Sequence, residues 1–123
     1  MSGNNVVVDT SFVINLFNGK EAIKELTKSK NLFISVISEI ELLSFHNLTD
    51  TDKHLLKTFL SKCYIVGLEP EIKELTISIR SRNKIKLPDA IIAATTIYFD
   101  LQLLTMDKGF KQVPDLDAII LSV

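Results

Sequence analysis

Five short apolar runs, separated by longer segments of helical character, limit what this chain can fold into more than any other feature. Each run has four or five residues and is rich in Val, Ile or Leu: 5–8, 32–36, 63–67, 101–105 and 118–122. Runs of this length and composition are typical of strands that are buried on both faces of a parallel sheet.

The segments between these runs have the apolar spacing of helices: about 11–17, 20–29, 38–46, 51–61, 70–82 and 88–98. Leu56 and Leu60, for example, give the segment 51–61 one apolar face. Strands that alternate with helices predict an α/β fold, in which a parallel sheet of about five strands carries helices on both faces. A length of 123 residues suits one domain over 1–123.

Composition and the few special residues narrow the class of protein. With 46% hydrophobic residues the chain can build a core, and a net charge of −1 means that nucleic acid could bind only at local basic clusters. Cys63 is the only cysteine and is expected to be a buried packing residue, while His46 and His54 are expected on the surface. The first five residues lack signal-peptide character and no apolar run reaches about 20 residues, which predicts a soluble cytoplasmic protein without a membrane span.

Four acidic residues are placed by the predicted topology at one edge of the sheet. Asp9 ends the first strand, Glu41 lies in the first helical turn after the second, and Asp107 lies two residues past the fourth. Asp89 opens the helix that leads back into the strand at 101, so it lies at the same edge. Ligands of open α/β sheets bind beyond the carboxyl ends of the strands. Asp9, Glu41, Asp89 and Asp107 are therefore candidate metal ligands and catalytic residues.

Each acid also has an ordinary structural explanation. Asp9 could cap the next helix, Ser38 and Glu41 have the S-x-x-E spacing of a capping box, Asp89 could belong to a first helical turn, and Asp107 could be a turn residue. A cluster of all four is harder to explain in this way, because close carboxylates repel unless a cation lies between them. An all-oxygen ligand set favours Mg²⁺ or Mn²⁺, which suits phosphodiester hydrolysis.

A basic stretch leads directly to Asp89. The segment RSRNKIKLPD contains Arg80, Arg82, Lys84 and Lys86 and no acid before its Asp. These cations could be a solvated helix end that complements the helix dipole, or a track that holds the phosphates of RNA beside the acids. Lys108 and Lys111, beside Asp107, could extend such a track.

Four segments together resemble the motifs of PIN-domain ribonucleases in order and spacing: VVVDTSFVINLF, ISVISEIELL, KLPDAIIAATT and LLTMDKGF. The resemblance is to the VapC type, the toxin half of toxin–antitoxin pairs, and it covers nearly the whole chain. It implies that the family's acidic positions fall on the four acids above, with Glu39 as a rival to Glu41. It also implies that Ser11 and Thr105 bind substrate. Ser11 stands where the family often has Asn, and the Thr105 hydroxyl could hold a ligand or a metal-bound water.

The resemblance implies Mg²⁺- or Mn²⁺-dependent cleavage of RNA, a homodimer and a small antitoxin that blocks the site. Apolar residues near 12–28 and 51–61 are candidates for the dimer surface. A non-catalytic PIN-fold interaction module stays open as an alternative. A Mg²⁺-dependent phosphatase or phosphoacceptor domain fits less well. A phosphatase of the haloacid-dehalogenase type needs D-x-D after its first strand, where this chain has Asp9-Thr10-Ser11. A phosphoacceptor domain of the receiver type needs an Asp after its third strand, where this chain has Glu69, which lies too late in the sequence.

Overall fold

The predicted parallel sheet is confirmed. The computed structural model describes residues 4–19 and 21–122. The described strands are β1 (Asn5–Val8), β2 (Asn31–Ser35), β3 (Tyr64–Val66), β4 (Gln102–Thr105) and β5 (Ala118–Ile120). They form one sheet in the order β3-β2-β1-β4-β5, and every neighbouring pair is parallel. Each predicted run overlaps one strand and differs from it by no more than two residues at either end.

The predicted helices are present; the one at 70–82 has the predicted ends, and each of the others has at least one shifted end. They are α1 (Thr10–Phe17), α2 (Glu21–Thr27), α3 (Val36–Leu43), α4 (Asp50–Ser61), α5 (Pro70–Arg82) and α6 (Leu87–Tyr98). The helix predicted at 20–29 begins on Lys20, which lies outside the described residues. A short 3₁₀ helix, Lys108–Gln112, follows β4 and is not predicted by the apolar pattern.

Side chains that alternate along the strands build a core on each face of the sheet. Val7 and Leu103 pack with α5 and α6 on one face. Val6, Val8 and Leu104 pack with α1, α2 and α4 on the other. Successive strand residues point to opposite faces, so strands that are apolar throughout need helices on both sides. That arrangement is the one predicted.

Helix α6 is buried along most of its length. Seven consecutive residues, Ala90 to Thr96, are buried. The hydroxyls of Thr95 and Thr96 donate to the carbonyls of Ile91 and Ile92 at 2.8 and 2.9 Å, which satisfies these polar groups inside the core. Because the core fixes this helix, it also fixes the position of Asp89, the residue before the buried run.

The cysteine is less buried than the sequence predicts, whereas the histidines lie on the surface as expected. Cys63 is half-buried, packs at the edge of the core, and its Sγ donates to the Phe59 carbonyl at 3.4 Å. Burial raises the pKa of the Cys63 thiol to about 11, which leaves it a weak nucleophile. His46 and His54 are exposed. In the part of the chain that the structure describes, no helix is both long and apolar enough to cross a membrane.

Candidate metal centre

The four candidate acids line one open cleft at the carboxyl edge of the sheet. Strand β1 has β2 on one side and β4 on the other, so the strand order reverses beside it. The crevice at such a reversal is the usual ligand site of open α/β sheets. The cleft has a volume of about 260 Å³, and its lining includes Asp9, Glu41, Asp89 and Asp107.

Asp9 is a buried carboxylate that accepts hydrogen bonds from three groups. Only 3% of its surface is exposed. Its Oδ1 accepts from the Phe12 backbone N–H at 3.0 Å and from the Ser11 hydroxyl at 2.9 Å, and its Oδ2 accepts from the Thr105 hydroxyl at 2.6 Å. The bond from Phe12 is the helix cap that the sequence allows. Burial raises the pKa of Asp9, and the three hydrogen bonds act in the opposite direction.

Ser11 and Thr105 connect Asp9 to the segment that carries Asp107. The Met106 backbone N–H donates to Ser11 Oγ at 3.1 Å, and the Asp107 backbone N–H donates to Thr105 Oγ1 at 3.0 Å. Ser11 lies in the lining of the cleft. Thr105 is buried behind it and contacts the carboxylate of Asp9. Both residues therefore hold the ends of β1 and β4 together.

Asp107 caps the 3₁₀ helix, so its interpretation as a turn residue is also correct. Its Oδ1 accepts from the Gly109 backbone N–H at 2.8 Å. A Cβ atom added to Gly109 would lie 3.1 Å from that oxygen. The glycine therefore leaves room for the carboxylate at this turn.

The pKa of Asp89 shows most clearly how the cleft affects its acidic residues. The Asp89 carboxylate accepts no hydrogen bond from any described residue. The pKa of Asp89 is raised from 3.8 to about 6, chiefly by burial and also by the charges of Asp107, Asp9 and Glu41, while Lys86 acts to lower it. The other three carboxylates are thus close enough to Asp89 for their charges to affect its pKa.

Glu41 lies one helical turn further along α3 than predicted. The sequence places it in the first turn, but α3 begins at Val36, because the Ser35 hydroxyl accepts from the Ile37 backbone N–H and caps the helix. The capping box predicted for Ser38 and Glu41 is therefore wrong. Glu39, the rival acid, lines a different cavity on the surface.

Two hydroxyl groups beside Glu41 are not singled out by sequence reasoning. The Thr10 hydroxyl donates to Glu41 Oε1 at 2.6 Å and lies 3.1 Å from the fully buried Ser38 Oγ. The sequence gives one indication of these hydroxyls, because Thr10 directly follows Asp9 and Ser38 precedes Glu41 by three residues.

The basic stretch does not enter the cleft as a unit. Of its four cations, only Lys86 lines the cleft. Arg80 donates through Nε to the Ile85 carbonyl at 3.3 Å, Arg82 lines a separate cavity, and Lys84 is exposed in the connection between α5 and α6. The cations that are predicted to follow the RNA backbone thus do not share one surface with the acids.

The donor set of the cleft fits a hard divalent cation. Its ligating side chains are carboxylates, with no His or Cys in the lining. Among residues 4–19 and 21–122, no three Asp, Glu, His or Cys side chains are gathered closely enough to form a metal site. Instead Asp9, Glu41 and Asp107 accept hydrogen bonds from the chain. A carboxylate has about four lone-pair sites, so an oxygen that accepts such a bond can also bind a cation.

The raised pKa of Asp89 predicts a stability that depends on pH when metal is chelated. The folded state holds the Asp89 proton more tightly than the unfolded state, so this stability is present below pH 3.8 and is lost as the pH rises through about 6. At pH 7.5 in EDTA, Asp89→Asn is expected to be more stable than wild type by about 1–2 kcal/mol, less than the full shift because water reaches this half-buried carboxyl.

Urea unfolding at pH 4, 6 and 7.5 measures this difference. The exposed Asp115, which lies outside the cleft, provides the control Asp115→Asn. If the difference in the free energy of unfolding between wild type and Asp89→Asn stays constant over this pH range, the folded protein does not raise the pKa of Asp89.

Comparison with known proteins identifies the family of the chain. The sequence matches the family described as PIN domain over residues 6–116. A comparison with curated proteins found no significant match.

Several solved structures share the fold. A toxin–antitoxin complex from Klebsiella pneumoniae contains a chain with 28% identity and a TM-score of 0.80, and the match covers 93% of this chain and 95% of that one. VapBC2 from Rickettsia felis, bound to a DNA fragment from its promoter, has 21% identity and a TM-score of 0.83, with 96% and 99% covered. VapC20 of Mycobacterium tuberculosis, described as a toxin that cleaves the sarcin–ricin loop, has 18% identity and a TM-score of 0.69, with 86% and 92% covered.

The structural neighbours are thus VapC toxins of VapBC complexes, and the resemblance seen in the four sequence motifs is confirmed. The family match runs from β1 to the segment just before β5 and includes all four candidate acids. This chain belongs to the PIN domain family.

Proposed function

We propose that this chain is a metal-dependent endoribonuclease that hydrolyses RNA phosphodiester bonds and acts as the toxin of a toxin–antitoxin pair. The observation that carries the proposal is that carboxylates from four separate segments line one cleft at the carboxyl edge of the sheet. Membership of the PIN family and a shared fold with a toxin described as cleaving the sarcin–ricin loop support the same activity.

Asp9, Glu41, Asp89 and Asp107 would hold Mg²⁺ or Mn²⁺ in this cleft. When bound, the cation would orient the scissile phosphate and stabilise the charge that develops on the leaving oxygen. Lys86, at the rim, would bind a neighbouring phosphate of the RNA. The apolar side chains of Ile14 and Ile92 also line the cleft.

Binding of a divalent cation is expected to stabilise the folded protein. The cation binds only the native arrangement of carboxylates and relieves their repulsion. At a concentration of about ten times Kd this contributes about 1.4 kcal/mol, which raises Tm by roughly 3–6 °C for a domain of this size. Thermal unfolding in EDTA and in 10 mM Mg²⁺ or Mn²⁺ measures the shift.

Potassium chloride at matched ionic strength controls for screening of charge. The shift should nearly vanish in Asp89→Asn. An unchanged Tm of the wild type in millimolar metal would count against the nuclease and favour the non-catalytic module.

Lys86 is expected to contribute more to RNA binding than Arg82. Lys86→Ala removes the cation at the rim and should reduce the slope of log K against log salt by about one, whereas Arg82→Ala removes a cation that lines another cavity. We propose Arg80, Arg82 and Lys84 as outer contacts to the RNA backbone. Fluorescence anisotropy of labelled RNA in EDTA, at several salt concentrations, measures both variants. Equal slopes would remove the special role of Lys86.

A protein partner is proposed for an apolar groove away from the acids. The groove lies between α1, α3 and α4 and is lined by the exposed side chains of Phe17, Phe45 and Leu55. Two of these fall in the segments 12–28 and 51–61, which are candidates for the dimer surface from the sequence. Exposed apolar patches of this kind mark interaction sites, and the related chains were solved as toxin–antitoxin complexes. We propose a small antitoxin as partner and a homodimer as the assembly.

A further inference from the structure

We infer that Thr10 is a positioning residue that holds Glu41 at the acid cleft through its hydroxyl group, with the buried Ser38 behind it. The inference rests on the proposed function, because it gives Glu41 a place at the metal centre. It concerns two residues that neither the acidic motifs nor the basic stretch identifies.

The geometry joins two helices that are distant in sequence. Thr10 is the first residue of α1, and Ser38 and Glu41 lie one turn apart on one face of α3. Thr10 Oγ1 lies 2.6 Å from Glu41 Oε1 and 3.1 Å from Ser38 Oγ, across sequence separations of 31 and 28 residues. The turn after β1 therefore carries Asp9 and also the residue that contacts Glu41.

The number of protons fixes the direction of the hydrogen bonds. The Thr10 hydroxyl has one proton, and a carboxylate can only accept. A distance of 2.6 Å is in the range of a charge-assisted O–H···O⁻ bond, so the Thr10 proton lies toward Glu41. The Ser38 Oγ lies 3.1 Å from Thr10 Oγ1 on its other side, as a second acceptor for the same proton. All of Ser38 is buried, so it closes that side of Thr10 to water.

The Thr10 hydroxyl limits the freedom of a flexible side chain. Glu41 is half-buried and can turn several torsions, whereas Asp9 is short and already held by Ser11 and Thr105. Loss of the Thr10 bond would let the Glu41 carboxylate rotate away from the cleft. Groups that orient metal ligands from behind are typically worth roughly 10–100-fold in metal affinity or activity.

Binding of Mn²⁺ to the folded apoprotein, measured by isothermal titration calorimetry, tests the inference. Thr10→Val keeps the shape of the side chain without its hydroxyl and is expected to raise the Mn²⁺ Kd about tenfold. Thr10→Ser restores the hydroxyl and should recover most of the affinity. The matched control is Thr76→Val, which removes a buried hydroxyl that donates only to the Ile72 carbonyl in α5. This control should bind Mn²⁺ as the wild type does.

Activity gives a second readout that a merely structural role would not move. In Thr10→Val, the Mn²⁺ concentration for half-maximal RNA cleavage should rise, while KM for RNA at saturating Mn²⁺ stays unchanged. A folded Thr10→Val protein with wild-type Mn²⁺ affinity would overturn the inference alone. A wild type that binds no Mn²⁺ at millimolar concentration would instead refute the proposed function. Should Thr10→Val fail to fold, Thr10→Ala, which also lacks the hydroxyl, decides by the same criterion.

Discussion

Asp89→Asn is expected to abolish RNA cleavage while the protein remains folded. The two side chains have almost the same shape, and the Asp89 carboxylate accepts no hydrogen bond from the described residues, so the substitution leaves no donor without a partner. The substitution removes the negative charge of a side chain whose pKa is raised by the charges of Asp107, Asp9 and Glu41. Removing one such electrostatic group from an active site typically costs about 10²–10³ in rate.

Single-turnover cleavage of labelled RNA, with enzyme in excess and saturating Mn²⁺, measures the loss directly. Thermal unfolding in EDTA checks that the variant is folded, and a Tm at or above that of the wild type is expected near neutral pH. Asp115→Asn is the matched control, because it removes an exposed carboxylate that lines a different cavity. Cleavage by Asp89→Asn at the wild-type rate would remove Asp89 from the active site.

Two substitutions at Asp9 are expected to separate its capping role from its proposed role at the metal. Asp9→Asn keeps an oxygen for the Phe12 backbone N–H, and the hydroxyls of Ser11 and Thr105 can turn to accept from the new amide. It also removes a buried charge. The Asn variant should therefore match the wild type in stability and lose at least about 100-fold in cleavage.

Asp9→Ala removes the acceptor itself. The cap is lost and the three donors around it have no partner, which costs roughly 2–3 kcal/mol relative to Asp9→Asn. Urea unfolding in EDTA compares the two variants, and the RNA assay shows whether both are inactive. If Asp9→Asn cleaves normally, Asp9 is a cap and nothing more; if Asp9→Ala is as stable as Asp9→Asn, the hydrogen bonds to Asp9 carry little of the stability.

The strands could be predicted from sequence because each contains a short apolar run, and β1 and β4 in the middle of the sheet are also buried over most of their length. The run 5–8 coincides with Asn5–Val8, and the segment 70–82 coincides with Pro70–Arg82. The start of α3 could not be predicted in the same way. Both Ser35 and Ser38 are plausible caps by local pattern, and only the spacing of Ser38 and Glu41 suggests a capping box. Because α3 begins before Ser38, Ser38 lies inside the helix and contacts Thr10, a residue too distant in sequence for a local pattern to reveal.

The placement of the acids follows from topology alone, because helices and strands that alternate in a parallel sheet bring their connections to one edge. The positions of the cations could not be predicted in the same way. Arg82 and Lys86 are four residues apart in sequence, yet they line different cavities, since α5 ends at Arg82 and the chain turns into α6. Which side of a helix end faces the cleft depends on how α5 and α6 pack, and that is a tertiary property.

Anomalous diffraction from wild-type crystals soaked in Mn²⁺ tests most directly whether distant carboxylates share a divalent ion. We predict a manganese peak in the cleft at the ends of β1 and β4, with oxygens of Asp9, Asp89 and Asp107 at about 2 Å and Glu41 beside them. A peak bound only by other residues, or an empty cleft in crystals of protein that cleaves RNA in the same Mn²⁺ concentration, would contradict it.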